Sequence, residues 1–228
     1  MPDPGAVVVT GGASGLGAAV AEAVARAGGR PLVLDLNPPA SGYEHELVDL
    51  SDTEAAEGAV TRLAERQGGL DAVVTAAGVD FPGPLQEMPR ERWERVVAVN
   101  LLGTAAVVRA ALPYLERSSG KVVTVASTLG VRAFADATAY CASKFGVVGF
   151  SRALAAELAG RVGVTCLLTG GMETRFFDDR DPRYKPGPDA DLQPPEEVAD
   201  AVMFALGREN GSELRELIVC PPTEPSWP

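Results

Sequence analysis

A tyrosine and a lysine stand four residues apart, Tyr140 and Lys144, in the stretch STLGVRAFADATAYCASKFG, and Ser127 lies thirteen positions before the tyrosine. On a helix, residues four apart share a face, so the phenol and the ammonium project together. A phenol near pKa 10 is a poor base at neutral pH, and an adjacent cation favours its phenolate. A tyrosine so tuned gives a proton to a carbonyl or takes one from an alcohol, with a neighbouring serine hydroxyl holding the reacting oxygen. Lysine usage sharpens this reading. Of the 20 basic residues only Lys121, Lys144 and Lys185 are lysine. Lysine is a compact charge whose pKa moves, whereas arginine keeps its proton. Taken alone, a Tyr–Lys pair is also compatible with plain surface packing.

A second group of residues suits a nucleotide. The apolar run AVVVT ends in TGGASGLG, Thr10 to Gly17. Gly11, Gly15 and Gly17 permit a tight turn and close backbone approach. The helix that opens there, with Ser14, Leu16 and their neighbours, points free N–H groups at a pyrophosphate. Asp35 ends the next apolar run, eighteen residues after Gly17. A carboxylate there accepts from an adenosine ribose and repels a 2′-phosphate. Ala13, Leu36 and Asn37 are not basic, so the reading is NAD rather than NADP.

Positioning these groups requires strands that alternate with helices. Apolar β-branched runs occur at 6–10, 31–35, 45–50, 70–78, 121–127, 162–169 and 213–220. Helical, mostly Ala-rich stretches follow the first turn as far as Ala27 and occupy 53–66, 89–117, 138–159 and 195–207. That alternation predicts an α/β fold with a parallel sheet covered on both faces, its strands apolar throughout. A charged, Pro-rich insert covers 174–195. The 228 residues are read as one domain.

Composition excludes several classes. The net charge is −11, so nucleic acid and anionic membranes are poor partners. No run of about eighteen apolar residues is seen and the N-terminus lacks a basic leader, so neither a membrane span nor a secretory signal is expected. Cys141, Cys166 and Cys220 form no metal spacing and suit a reducing, cytoplasmic compartment. No metal site is expected. The one histidine, His45, reads as a plain loop residue.

Taken together, TGGASGLG, Asp35, the VNLLG around Asn100, Ser127 and YCASK make the chain resemble the short-chain dehydrogenase/reductase family over nearly its whole length. The resemblance implies a Rossmann-type three-layer sandwich with a seven-stranded parallel sheet in the order 3-2-1-4-5-6-7. It implies an oxidoreductase that interconverts a secondary alcohol and a ketone using NAD. Tyr140 would be the acid/base, Lys144 would lower its pKa and bind the nicotinamide ribose, and Ser127 would orient the substrate oxygen. Asn100 would hold a relay water, although as a bare observation it could equally be a buried polar group satisfied by backbone. Asp49, with Leu50 beside it, matches the acid near the adenine, or is a strand-end turn residue. TAAG, with Ala76, Ala77 and Gly78, matches the loop over the adenine ribose. Gly170, Met172 and Thr174 match the segment at the nicotinamide.

The chain departs from the pattern at Thr75, where the family usually has an asparagine that braces the sheet, and at Thr169, where it has proline. Loss of that proline frees the backbone and implies a more mobile cofactor end. The insert matches the family's substrate lid. Phe81, Phe134, Phe176 and Phe177 are candidates to line an apolar substrate cleft, and Arg132 or Arg175 either contacts a substrate carboxylate or is solvent-exposed. The family forms dimers or tetramers through two long helices, here 99–117 and 138–159. The Pro-rich ending is unlike many members, and Trp227 is open between packing on a neighbouring subunit and lying loose. Alternatives within the fold are a dehydratase or epimerase with tightly bound NAD; outside it, a non-catalytic NAD-binding regulator.

Overall fold

Seven strands form one parallel sheet in the order β3-β2-β1-β4-β5-β6-β7. The structure, a computed structural model, describes residues 3–209 and 211–227. The strands are β1 (Ala6–Thr10), β2 (Arg30–Asp35), β3 (Glu44–Leu47), β4 (Ala72–Thr75), β5 (Lys121–Val125), β6 (Gly163–Thr169) and β7 (Glu216–Val219). The helices are α1 (Gly15–Arg26), α2 (Thr53–Gln67), α3 (Arg90–Val97), α4 (Thr104–Ser118), α5 (Thr138–Glu157) and α6 (Pro195–Leu206). The expected sheet order is therefore present.

Side chains alternate across each strand, and this sorts the core into two layers. Ala6 and Val8 of β1 pack with Leu63 of α2, Leu115 of α4 and Leu154 of α5. Val7 and Val9 face the other way, onto Val20 and Val24 of α1 and Val202 of α6. All five β1 residues are buried, which explains why the strand reads as an unbroken apolar run. β1 lies between β2 and β4. The chain connections diverge to either side of it, so a crevice opens beyond its C-terminal end.

Two local expectations are corrected. His45 lies in β3, paired with Val33, rather than in a loop; its ring Nδ1 donates to the Tyr43 carbonyl at 2.9 Å. The helix expected over 89–117 is α3 and α4 joined by a π-helical turn, Ala98–Gly103. Such turns widen the helix locally and re-aim a side chain, and this one holds Asn100. The continuous helix Arg90–Ser118 is long and apolar enough by composition to cross a membrane, with a window of mean hydropathy 1.7. It is instead a core helix here: Val96, Val107 and Leu115 are fully buried against the sandwich.

Candidate active site

The crevice at the β1/β4 switch is a cavity of about 1090 Å³. Its first wall is the turn between β1 and α1. Gly11 has φ of 70°, and a Cβ there would stand 2.9 Å from the Ala77 Cα. A Cβ on Gly17 would collide with the Gly11 carbonyl. The turn is closed so tightly that only glycine fits. Ser14 caps α1 without a side-chain hydrogen bond, and the first turn holds no acidic residue. The opening amides of α1 are thus directed at the cavity, which Gly11, Ser14, Gly15, Leu16 and Gly17 all line. These are the features that a pyrophosphate requires. A nicotinamide dinucleotide fits the residues present.

Asp35 lines the next section. Its two oxygens accept from the amides of Ala13 at 3.0 Å and Asn37 at 3.0 Å, which ties β2 to the glycine turn. Asp49 and Leu50 line the cavity beyond it. Arg95 donates to Asp49 at 2.9 Å, and the Ser51 amide and hydroxyl donate to it at 2.9 and 2.8 Å. Burial works to raise the Asp49 pKa, but these hydrogen bonds and the Arg95 charge bring it below the usual value. Ala76, Ala77 and Gly78 form the facing wall, and the Ala77 amide donates to Thr10 Oγ1 at 3.0 Å.

Ser127, Tyr140 and Lys144 meet at the far end, all lining the same cavity. Ser127 follows β5 and caps a short 3-10 turn, accepting from the Leu129 amide at 3.1 Å. Tyr140 and Lys144 lie on the first turns of α5, with the Lys144 Nζ 5.6 Å from the phenol ring centre. Lys144 is 4 % exposed and donates to the Val125 carbonyl at 2.9 Å. Burial lowers its pKa from 10.5 to about 8. The Tyr140 pKa is raised rather than lowered on balance. Burial pushes the phenol well above its ordinary value and the Asp80 carboxylate adds to the rise; a hydrogen bond with Ser127 and the Arg180 charge oppose it.

Asn100 is buried behind this wall rather than in it. Its Oδ1 accepts from the Val79 amide at 2.8 Å, and its Nδ2 donates to the Val79 carbonyl at 2.9 Å and Ser143 Oγ at 3.1 Å. The side chain ties the β4 loop to α5. Thr75, where a bracing asparagine was expected, leaves its buried Oγ1 unpartnered among the described residues.

The Gly170–Thr174 segment borders the cavity at Gly170, Gly171, Met172 and Thr174. It is held despite the missing proline. Gly170 N donates to the Val219 carbonyl at 3.0 Å, Gly171 N to Glu224 Oε2 at 2.9 Å, and Met172 bridges to Gln193. Glu224 belongs to the Pro-rich ending, whose destination sequence reasoning could not assign. That tail returns to the site. Ser226 is 2 % exposed and bonds Thr128 Oγ1 at 2.6 Å, beside Ser127, and Thr223 donates to Asp191 at 2.7 Å. Trp227 is half-buried, its amide bonded to the Glu224 carbonyl.

Segment 174–195 covers the remaining opening. Phe176 stands 5.8 Å from the Tyr140 ring, and Phe176, Phe177, Phe134 and Arg175 line the cavity. Phe81 lies in a small adjoining cavity under Arg92. Arg132 is exposed over Phe134 and does not line the cleft. The arginine that sequence reasoning missed is Arg180, which donates to Asp80 at 2.8 Å.

A family model for short chain dehydrogenases matches residues 5–185. The chain belongs to the short-chain dehydrogenase family. It is 33% identical to a D-threitol dehydrogenase of Mycolicibacterium smegmatis, over 91% of this chain and 89% of the relative. It is 36% identical to an NAD(+)-linked 2-dehydro-3-deoxy-L-rhamnonate dehydrogenase of Sphingomonas sp., over 71% and 69%. An alcohol dehydrogenase of Thermococcus sibiricus complexed with 5-hydroxy-NADP superposes with a TM-score of 0.82 at 26% identity, covering 94% of this chain and 95% of that one. The oxidoreductase family is thus established, and nicotinamide cofactors are bound among its solved neighbours.

Proposed function

We propose that this short-chain dehydrogenase interconverts a secondary alcohol and a ketone using NAD, with Tyr140 as its acid/base. The observation that carries the reading is the convergence of Ser127, Tyr140 and Lys144 at one end of the cavity whose other end is the glycine turn. When bound, the nicotinamide supplies the hydride acceptor or donor. The turn from Gly11 to Gly17 holds the pyrophosphate on the α1 amides, and Asp35 takes the adenosine ribose. Asp49, Leu50 and Ala76–Gly78 enclose the adenine side, and Gly170, Met172 and Thr174 hold the nicotinamide end. The carboxylate at Asp35 favours NAD over its phosphorylated counterpart, and D-threitol dehydrogenase and the rhamnonate enzyme are dehydrogenases by name.

Ser127 holds the substrate oxygen. Tyr140, kept as a neutral phenol by burial, gives its proton to a carbonyl oxygen, or accepts the hydroxyl proton in the reverse direction. The Lys144 ammonium stabilises the phenolate left behind and binds the ribose. Asn100 fixes the loop that carries these contacts and serves the proton relay. The segment 174–195 closes over the substrate as a lid and excludes water. The chain works in the cytoplasm as a homodimer or homotetramer on a small-molecule substrate. Tyr140→Phe tests the assignment. Turnover falls by roughly a hundredfold or more while NADH affinity stays within about twofold of wild type. Near-normal turnover with a good substrate would refute the role of Tyr140.

A further inference from the structure

Asp80 and Arg180 stand 100 residues apart in sequence and meet across the cleft. Asp80 follows β4 on the fixed wall. Arg180 sits on the lid segment, with its guanidinium 4.8 Å from the Phe176 ring centre and 4.6 Å from that of Phe177. Their side chains are only 5 % and 14 % exposed. Both residues line the cavity that holds Tyr140. The two share one hydrogen bond, Arg180 Nη2 to Asp80 Oδ2, and Arg180 Nη1 also donates to the Tyr184 carbonyl at 3.5 Å. Asp80 Oδ1 and Arg180 Nε are each buried without a hydrogen-bond partner among the described residues. A buried acceptor and a buried donor left unmatched are costly, and a ligand that completes both gains what their isolation loses.

We propose that Asp80 and Arg180 form a subsite for a second oxygen of the substrate, selecting polyhydroxylated alcohols over simple ones. The inference rests on the dehydrogenase reading and deepens it. A hydroxyl both donates and accepts, so one group can give its proton to Asp80 and receive one from Arg180. A carboxylate cannot, because Asp80 faces it with like charge and the ion pair is neutral as a whole. A bare alkyl chain leaves both polar atoms unmatched. Phe176 and Phe177 hold the guanidinium against the cavity, and Phe176 also packs against Tyr140. The subsite is therefore coupled to the reacting end through one ring. The hydroxyl enters as the lid turn lifts Arg180 away and is enclosed as it returns.

Four-carbon probes test this. sec-Butanol and the four-carbon tetritols share a chain length and differ in hydroxyl number. In the wild-type chain with NAD, kcat/KM for the tetritols exceeds that for sec-butanol by at least about tenfold. Removing one partner strands the other charge, so the principal variant is the double one, Asp80→Leu with Arg180→Met. It brings the ratio close to one while NADH affinity is retained. Tetritols raise the melting temperature of the wild-type NADH complex and leave that of the double variant unchanged, a readout that needs no turnover. A wild type that binds NADH but treats both alcohols alike, or a double variant that keeps the preference, overturns the subsite alone. A wild type that fails to bind NADH overturns the dehydrogenase reading instead.

Discussion

At the level of single residues, the site is governed by burial more than by pairing. Lys144 is enclosed with one carbonyl as its partner, and desolvation brings its pKa from 10.5 to about 8. The folded chain therefore loses this proton at a lower pH than the unfolded chain. Between those two values the unfolded state binds more protons, so the contribution to stability rises with pH. Lys144→Met isolates the group, because Tyr140 is present in both proteins. Wild type gains about 3 kcal/mol relative to the variant between roughly pH 7 and pH 10.5. Guanidinium unfolding at the two pH values measures this, and a difference independent of pH would mean the ammonium is not desolvated. Asp80 and Arg180 follow the same rule: burial raises the carboxyl pKa and lowers that of the guanidinium, in each case against the pull of the partner. Desolvation outweighs their mutual attraction. The Tyr–Lys spacing and the serine were legible from sequence because helix geometry and strand ends fix such positions. The Asp80–Arg180 contact was not, since an acid after an AAG turn and an arginine in a polar insert carry no local pattern that joins them.

At the level of elements, buried strands and amphipathic helices were readable because alternation and burial leave a direct trace in residue type. AVVVT and KVVTV are apolar throughout because both sheet faces are covered. The π-helical turn at Ala98–Gly103 left no such trace, because its backbone hydrogen-bond shift does not alter the apolar pattern. Nor did the course of the tail, which depends on Glu224 and Ser226 finding partners more than fifty residues away, at Gly171 and Thr128. The helical layer also presents a face that the core does not use. Leu102 in the π turn is 50 % exposed and Phe145 on α5 is 45 % exposed. Large apolar groups left outward on packed helices suit a second copy of the chain. The expected outcome by light scattering is a dimer or tetramer for wild type and a single-chain mass near 23.7 kDa for Phe145→Glu. A monomeric wild type would contradict the use of this face.

For the molecule as a whole, the topology accounts for the location of chemistry. Reversal of strand order at β1 and β4 opens one crevice, and the loops that follow six of the strands, together with the tail, deliver residues to it. Among the sequence-derived candidates, every cofactor residue and three of the four catalytic ones border that crevice; Asn100 stands behind it, holding Val79. The order of motifs made this readable, since each follows a strand whose end faces the same edge. What covers the crevice was less readable. The lid is joined to the β4 loop, to the loop between β5 and α5, and to the tail by side-chain contacts between Arg180 and Asp80, Tyr184 and Asp136, and Thr223 and Asp191. Such contacts depend on the completed fold. The whole arrangement amounts to one claim, that the crevice is a dinucleotide site of the NAD type. Its most direct test is a paired fluorescence titration of the pure protein with NADH and NADPH. The account predicts NADH binding at least about tenfold tighter, or about 1.4 kcal/mol. Tighter binding of NADPH would contradict the role of Asp35, and binding of neither would contradict the claim itself.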